Sequence, residues 1–450
     1  MKHPMIFKKG LASFLIVCLC LCAIVSWAPM TACAFEETNL PAVSGASSIF
    51  LYHFESNQIL MKRSSLATIA PASTVKIMTG LLALQRLEGR MDEYVTLTDE
   101  MLSNLEGYTV LLEKGMTVQI RDLLYGTICG GGNDAATALA VVCSGSVEAF
   151  VDEMNALALE WGCFDTYYTN PTGLDDPKMV TTLEDTVRLA KKAIENPLFL
   201  QMSSATNHSY TPQGADTASI FYNRNALISS FSAIGYQNKY AQGLNAGMTE
   251  RGGHCVVTYA NDGTSSYLCV VMGAVQTSSG ILSYKIANTL LQYVLKNYSY
   301  RLIAEKGKEV CSTPVRLAIP QNSNATSELS CVLAEDVYGY LPTQTDLSED
   351  LTYRYYLHQR EWTAPISSDT VIGGVDIYLG DEWIATAKLI AAEEIPSSSL
   401  LVALETMKTV FLSRPILIAC LTFVILLLLY LYFSSVSYKR KHAPVIAYKK

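Results

Sequence analysis

Residues 415–438 carry no charged side chain, and residues 416–433 are almost wholly Leu, Ile, Val, Phe and Tyr. A run of this length and uniformity is read as a bilayer-crossing helix, since a helix satisfies its own backbone polar groups in hydrocarbon. The competing reading is a buried core helix, and the uniform composition with a basic exit argues against it. Lys439, Arg440, Lys441, Lys449 and Lys450 follow the run, which assigns the tail 439–450 to the cytoplasm and everything before residue 415 to the outside. The other end agrees. Lys2, Lys8 and Lys9 precede an uncharged stretch at 11–27, and Ala32-Cys33-Ala34 offers small residues at a cleavage position before Phe35. Residues 1–34 therefore read as a secretory signal peptide. Cys33 raises a lipoprotein reading, but Met30-Thr31-Ala32 is a poor form of the box that reading requires. The expectation is an exported ectodomain held by a C-terminal anchor.

At 450 residues the chain has room for two or three domains. Apolar alternation at 47–62, broken by Glu55-Ser56-Asn57-Gln58, predicts a hairpin. Stretches within 118–205 have helical spacing, at 118–128, 134–142, 147–161 and 183–194. Strands are expected again at 254–260 and 267–274, joined by the turn Asn261-Asp262-Gly263, and a last amphipathic helix at 281–295. Strands from both ends enclosing a helical middle define an α+β domain over 40–300. After Tyr300 the texture turns to short strands, including a hairpin at 375–390, so 301–394 reads as a small β-rich domain. Residues 395–414 read as a linker with an amphipathic helix at 401–412, suited to a membrane surface. Of 12 cysteines, seven lie outside the signal and the span. Among these, Cys311 and Cys331 fall in the one small domain and could pair.

The net charge of −8, with no basic block away from the ends, argues against nucleic acid as a partner. The six histidines are scattered and no His or Cys cluster has ligand spacing, so neither a metal nor a cofactor is expected. Gly130-Gly131-Gly132 lacks the Lys-Ser/Thr of a phosphate loop. The chemistry instead points to Pro71-Ala72-Ser73-Thr74-Val75-Lys76, which opens a helical pattern. On a helix Ser73 and Lys76 share one face. A lysine partly buried near the positive end of a helix loses its proton more readily and can activate a serine hydroxyl. The free N–H of Ser73 at the helix start can face an oxyanion. Alone, Ser-x-x-Lys is more often a helix cap followed by a surface lysine.

The segments downstream decide between these readings. Gly131-Gly132-Asn133-Asp134-Ala135-Ala136, Asn170-Pro171-Thr172-Gly173-Leu174 and Gly243-Leu244-Asn245-Ala246-Gly247-Met248-Thr249 follow the serine segment in order. Together the four stretches resemble the serine-type D-alanyl-D-alanine carboxypeptidases, the low-molecular-mass penicillin-binding proteins. The resemblance covers roughly 40–300. It implies a β-lactamase/D,D-peptidase-like fold and an acyl-enzyme on Ser73, with Lys76 as base and the N–H groups of Ser73 and Met248 as oxyanion hole. It also implies Asn133 as a substrate-amide and lysine-orienting residue, and Asn245, Gly247 and Met248 as the strand that binds substrate. The expected partner is a peptidoglycan stem peptide ending in D-alanyl-D-alanine, with β-lactams as acylating inhibitors, at a bacterial cell membrane.

Three positions depart from the family pattern. The second-motif serine is Gly131, and the third-motif lysine and threonine are Asn245 and Ala246. Lys239 and Arg251 are the nearby cations available to replace the missing charge, and Arg251 reads as a solvated turn residue. A weakened carboxypeptidase is thus the first expectation. A non-catalytic module that binds peptidoglycan or a partner is the rival. A class A-like β-lactamase is third, disfavoured because Glu160 and Glu184 lack the Glu-x-x-x-Asn context. Topology is open to direct test: protease added to intact cells should remove the ectodomain and spare an epitope at Lys450. Loss of that epitope would refute the anchor orientation.

Overall fold

The computed structural model describes residues 37–103, 105–278, 280–319, 327–347 and 351–441. The expected signal peptide and residues 442–450 of the basic tail lie outside the described residues. The chain forms two compact units, one of residues up to Arg301 together with Tyr338–Leu347, the other of Leu302–Val337 and the residues from 348 onward.

The first unit is built on a five-stranded antiparallel sheet. Its order is Gln58–Ser64, Ser48–His53, Ser266–Ala274, Gly253–Asn261 and, at the edge, Ala241–Thr249. The N-terminal hairpin thus joins strands more than 200 residues away. Alternate side chains divide the core. Phe50, Tyr52, Leu268, Val270 and Met272 pack on the helical body, whereas Ile49, Leu51, Tyr267, Cys269 and Val271 pack on helix Leu282–Asn297. Both faces are covered, so the inner strands are apolar throughout rather than alternating with polar residues. The helical body comprises Val75–Arg86, Ile120–Ile128, Asn133–Ser144, Val147–Glu160, Leu183–Glu195 and Pro197–Ser204. One expected helix start moves: Thr117–Gln119 is a short strand paired with Tyr94–Thr96, and the helix begins at Ile120 behind a Gln119–Asp122 capping box.

The second unit holds a six-stranded sheet ordered Leu351–Leu357, Val371–Leu379, Glu382–Ala391, Ser327–Leu333, Glu309–Arg316 and Trp362–Thr363. Cys311 and Cys331 are opposite each other on adjacent strands, as free thiols. Part of the stretch expected as linker is tied to other segments: Ile395 bridges Ile366, and Ser397 bridges Ala318. Helix Ser399–Phe411 follows, capped by Ser398, and then helix Arg414–Lys441. Over Arg414–Ser435 its mean hydropathy is 2.8, so it is long and apolar enough to cross a bilayer, and its apolar window is not buried among the described residues.

Tyr338–Leu347 bears on where the first unit ends. Tyr340 stacks on His53, with ring centroids 4.2 Å apart, and on Tyr298 at 5.3 Å; the Thr343 N–H donates to Asn297 O at 2.8 Å. His53 is fully buried in this aromatic nest. Deleting a buried aromatic costs about 3–5 kcal/mol. A chain ending at Tyr300 should therefore melt below the full ectodomain in a thermal scan of its first transition, and one with Tyr340→Ala should fall with it. Equal melting temperatures would show that 338–347 contributes nothing.

Candidate active site

The short 3-10 turn Ala72–Thr74 leads into helix Val75–Arg86, which stands Ser73 at the mouth of the helix and Lys76 just inside it. Thr74 tightens the entry, since its N–H and its hydroxyl both donate to Pro71 O, at 3.2 and 2.6 Å. Ser73 lies directly on the edge strand. A Cβ at Gly247 would sit 2.4 Å from Ser73 Cβ and 2.5 Å from its Oγ, so only glycine fits there.

Lys76 is fully buried. Its Nζ donates to Thr172 O at 2.7 Å. Burial first, and then the positive charge of Arg224, bring its pKa down to about 7, against an upward pull from Asp134. The acceptor is set by Asn170, whose Oδ1 takes the N–H groups of Thr172 (3.2 Å) and Gly173 (2.8 Å) and the Thr172 hydroxyl (2.8 Å). Its Nδ2 donates to Leu174 O at 3.0 Å. The neighbouring Pro171 O receives the Thr79 hydroxyl at 2.7 Å, a second tie to the lysine helix. Gly173 completes the fit. Its φ is +83°, and a Cβ there would lie 2.0 Å from Ala72 O.

The second motif begins at Gly131, with φ +70°, and Gly132 is the N-cap of helix Asn133–Ser144. Asn133 is therefore inside the helix rather than its cap. Its N–H donates to Tyr108 O at 2.8 Å and its Nδ2 to Glu106 O at 2.7 Å. Buried Asp134 accepts from the N–H groups of Val110 (3.0 Å), Leu112 (2.9 Å) and Ala135 (2.9 Å). The two residues stitch segment 106–112 to the second motif. On the edge strand, the pleat sets Asn245 on the same face as Gly247, the face toward Ser73. Asn245 is 5% exposed and its Oδ1 has no hydrogen-bond partner among the described residues. Ala246 is buried in the apolar cluster that includes Leu227 and Tyr284, and Met248 is 54% exposed.

The sequence model of the D-alanyl-D-alanine carboxypeptidases matches residues 36–276. The chain belongs to that family. A second model, for the C-terminal domain of penicillin-binding protein 5, matches residues 298–397. The chain is 30% identical over 232 residues to the D-alanyl-D-alanine carboxypeptidase DacF of Bacillus subtilis, a match covering 51% of this chain and 57% of that protein. It is 27% identical over 364 residues to DacD of Escherichia coli, covering 79% of this chain and 88% of the relative. The crystal structure of DacD from Francisella tularensis superposes with a TM-score of 0.60 at 21% identity, over 82% of this chain and 98% of that one, a likeness of fold.

Within this carboxypeptidase fold the two cations singled out from the sequence are otherwise engaged. Arg251 donates its backbone N–H to Asp175 at 2.8 Å and its guanidinium to Asp176 O. Lys239 lies over the Tyr240 ring, 4.5 Å from its centroid. The cation that does reach the site is Arg224, which sequence reading missed. Its guanidinium covers the Tyr108 ring at 4.0 Å, and a Cβ at Gly131 would meet its Cγ at 3.1 Å. The signal was present in Asn223-Arg224-Asn225. Asn223 Nδ2 donates to Ser203 O and Ala205 O, at 2.8 and 2.7 Å, and Asn225 Oδ1 accepts the Leu227 N–H at 3.0 Å, so two buried amides lock the arginine between them.

Gly173 and Gly214 have the same φ of +83°, but nothing lies within 4 Å of a Cβ at Gly214. Gly214→Ala should cost about 1–2 kcal/mol, the backbone penalty alone. Gly173→Ala should cost about 1–3 kcal/mol more because of the contact with Ala72. Urea unfolding of the two variants measures the difference, and equal losses would mean the 170–174 loop is not held tightly against the serine turn.

Proposed function

We propose that this protein is a serine-type D-alanyl-D-alanine carboxypeptidase acting on peptidoglycan stem peptides through an acyl-enzyme on Ser73, slowed by its second and third motifs. The reading rests chiefly on Lys76, a buried amine with a pKa brought down to about 7, one helical turn from a serine packed on Gly247. At neutral pH a large fraction of that amine is unprotonated. It takes the Ser73 proton as Oγ attacks the carbonyl before the terminal D-alanine. The oxyanion is received by the N–H groups of Ser73 and Met248, and Asn133 with the edge strand holds the peptide. The Lys76 proton then passes to the departing amine, and water releases the acyl group with Lys76 again as base.

The departures slow this sequence at identifiable points. Gly131 offers no hydroxyl to relay the proton to the leaving group. Asn245 is neutral where the family has an ammonium, and a charge-assisted hydrogen bond is roughly twice as strong as a neutral one. Ala246 offers no hydroxyl to the substrate carboxylate. These same three residues favour the second reading, a carboxypeptidase fold kept for binding stem peptides without turning them over.

A fluorescent penicillin separates the two. On the first reading it labels the ectodomain, Ser73→Ala abolishes labelling, and Lys76→Ala lowers the rate by about 10²–10⁴. A native protein that never labels supports the binding module, and labelling that survives Ser73→Ala puts the nucleophile elsewhere. The pH profile is a separate check. Because the base form of Lys76 is the deprotonated one, acylation should rise with pH through about 7 and level off above it, rather than climbing toward the ordinary lysine value of 10.5.

A further inference from the structure

We infer that Tyr108 is a catalytic residue of this chain, whose hydroxyl hands a proton to the amine that leaves as Ser73 is acylated. The inference rests on the carboxypeptidase reading and adds a residue to that same site. Chemistry sets the requirement. An amine is expelled from a tetrahedral intermediate only once its nitrogen carries a proton, and Lys76, which takes the serine proton, is fully buried. The threonine hydroxyls on the segments around that lysine are committed elsewhere. Thr74 donates to Pro71 O, Thr79 to Pro171 O, Thr137 to Asn133 O and Thr172 to Asn170 Oδ1, at 2.6, 2.7, 2.9 and 2.8 Å. Residues 130–132 are glycines and offer no hydroxyl.

Segment 107–110 lies directly on those glycines. A Cβ at Gly130 would meet Val110 Cγ1 at 2.8 Å, and one at Gly132 would meet Val110 Cγ2 at 2.7 Å. A Cβ at Gly107 would lie 2.9 Å from Asn133 Nδ2 and 3.3 Å from Leu174 Cδ2. The residue before Tyr108 is therefore wedged between the second motif and the loop that holds Lys76. Tyr108 O accepts the Asn133 N–H, and its ring lies under Arg224, whose side chain passes against Gly131. Electrostatics gives an independent bearing. The charges of Arg224 and Asp134 act on Lys76, and the same two charges act on Tyr108. Burial raises the Tyr108 pKa, with Arg224 opposing through its charge and a hydrogen bond. The phenol thus stays neutral at pH 7, where Lys76 is partly deprotonated, and its hydroxyl accepts and donates in one step. It donates to no acceptor among the described residues, and the side chain is half-buried, open to a substrate. In the step itself the Lys76 ammonium passes its proton to the Tyr108 oxygen as the Tyr108 proton goes to the leaving nitrogen. The C–N bond breaks with its electron pair on nitrogen, and Tyr108 ends as the phenol and Lys76 as the free amine.

The test uses the leaving group. The full-length protein is given an N-acyl-D-alanyl-D-alanine peptide and the analogue ending in D-thiolactate, which expels a thiolate that needs no proton. Tyr108→Phe keeps the ring under Arg224 and removes only the hydroxyl. It should lower kcat/KM for the amide about 10²-fold more than for the thioester. The midpoint of the acylation pH profile should stay at about 7, since neither Arg224 nor the burial of Lys76 has changed. Equal losses on the two substrates, or a moved midpoint with an unaltered ratio, would make Tyr108 a positioning residue for Arg224. Either result overturns the inference and leaves the carboxypeptidase reading standing. Unchanged rates on both substrates in Tyr108→Phe overturn it as well. A native protein acylated by neither substrate overturns both.

Discussion

The site depends on keeping an amine dry. Lys76 has no solvent exposure, one hydrogen bond at 2.7 Å to a backbone carbonyl, and a positive neighbour in Arg224. Each of these disfavours the charged form except the carbonyl, and burial dominates. Such burial is costly, so the surroundings must be rigid. The Asn170 side chain makes four hydrogen bonds to three consecutive residues of its own loop, which aims Thr172 O at the lysine and Pro171 O at Thr79. Gly173 brings that loop against Ala72 and Ser73. The 170–174 loop, distant in sequence, thereby sets the position of the Lys76 amine.

The second constraint is electrostatic balance. In this chain the third-motif strand has no charge, yet the pocket has not become neutral, because Arg224 enters it from the segment between helix Pro197–Ser204 and the edge strand. A Cβ at Gly131 would lie 3.1 Å from Arg224 Cγ, so the second motif packs directly against the arginine side chain, whose charge lowers the pKa of Lys76. Ala246 packs its methyl group in the apolar cluster that includes Leu227 and Tyr284.

Much of the framework was legible in the residues themselves. Period-two and period-3.6 patterns located the hairpin, most of the helical body and the last helix of the first unit. The uncharged run at 415–438 is a long helix whose apolar window is uncovered among the described residues. The four motif segments led to the family to which the chain belongs. Where local reading slipped, the competing physics is clear. Thr117–Gln119 is β-branched at two positions and finds a partner strand, so it pairs before the helix starts. Asn133 has a good capping side chain, but Gly132 already takes the extended backbone of a cap, and the amide turns to Glu106 instead.

Sequence alone gave most element types and the resemblance that led to the family, and it singled out Ser73 and Lys76, because periodicity and short motifs involve residues that are neighbours along the chain. Only the tertiary structure decided which cation comes close to Lys76. Lys239 and Arg251 are near the third motif in sequence, yet one lies on Tyr240 and the other is bonded at Asp175 and Asp176. Arg224 is 21 residues from Asn245 and 93 from Gly131, and reaches the site because buried asparagines on either side hold its backbone there. Tyr338–Leu347 joins the first unit for a similar reason, through the stacking of Tyr340 on His53. Charge and stacking act over a few ångströms of space, and separation along the chain places no bound on which residues come that close.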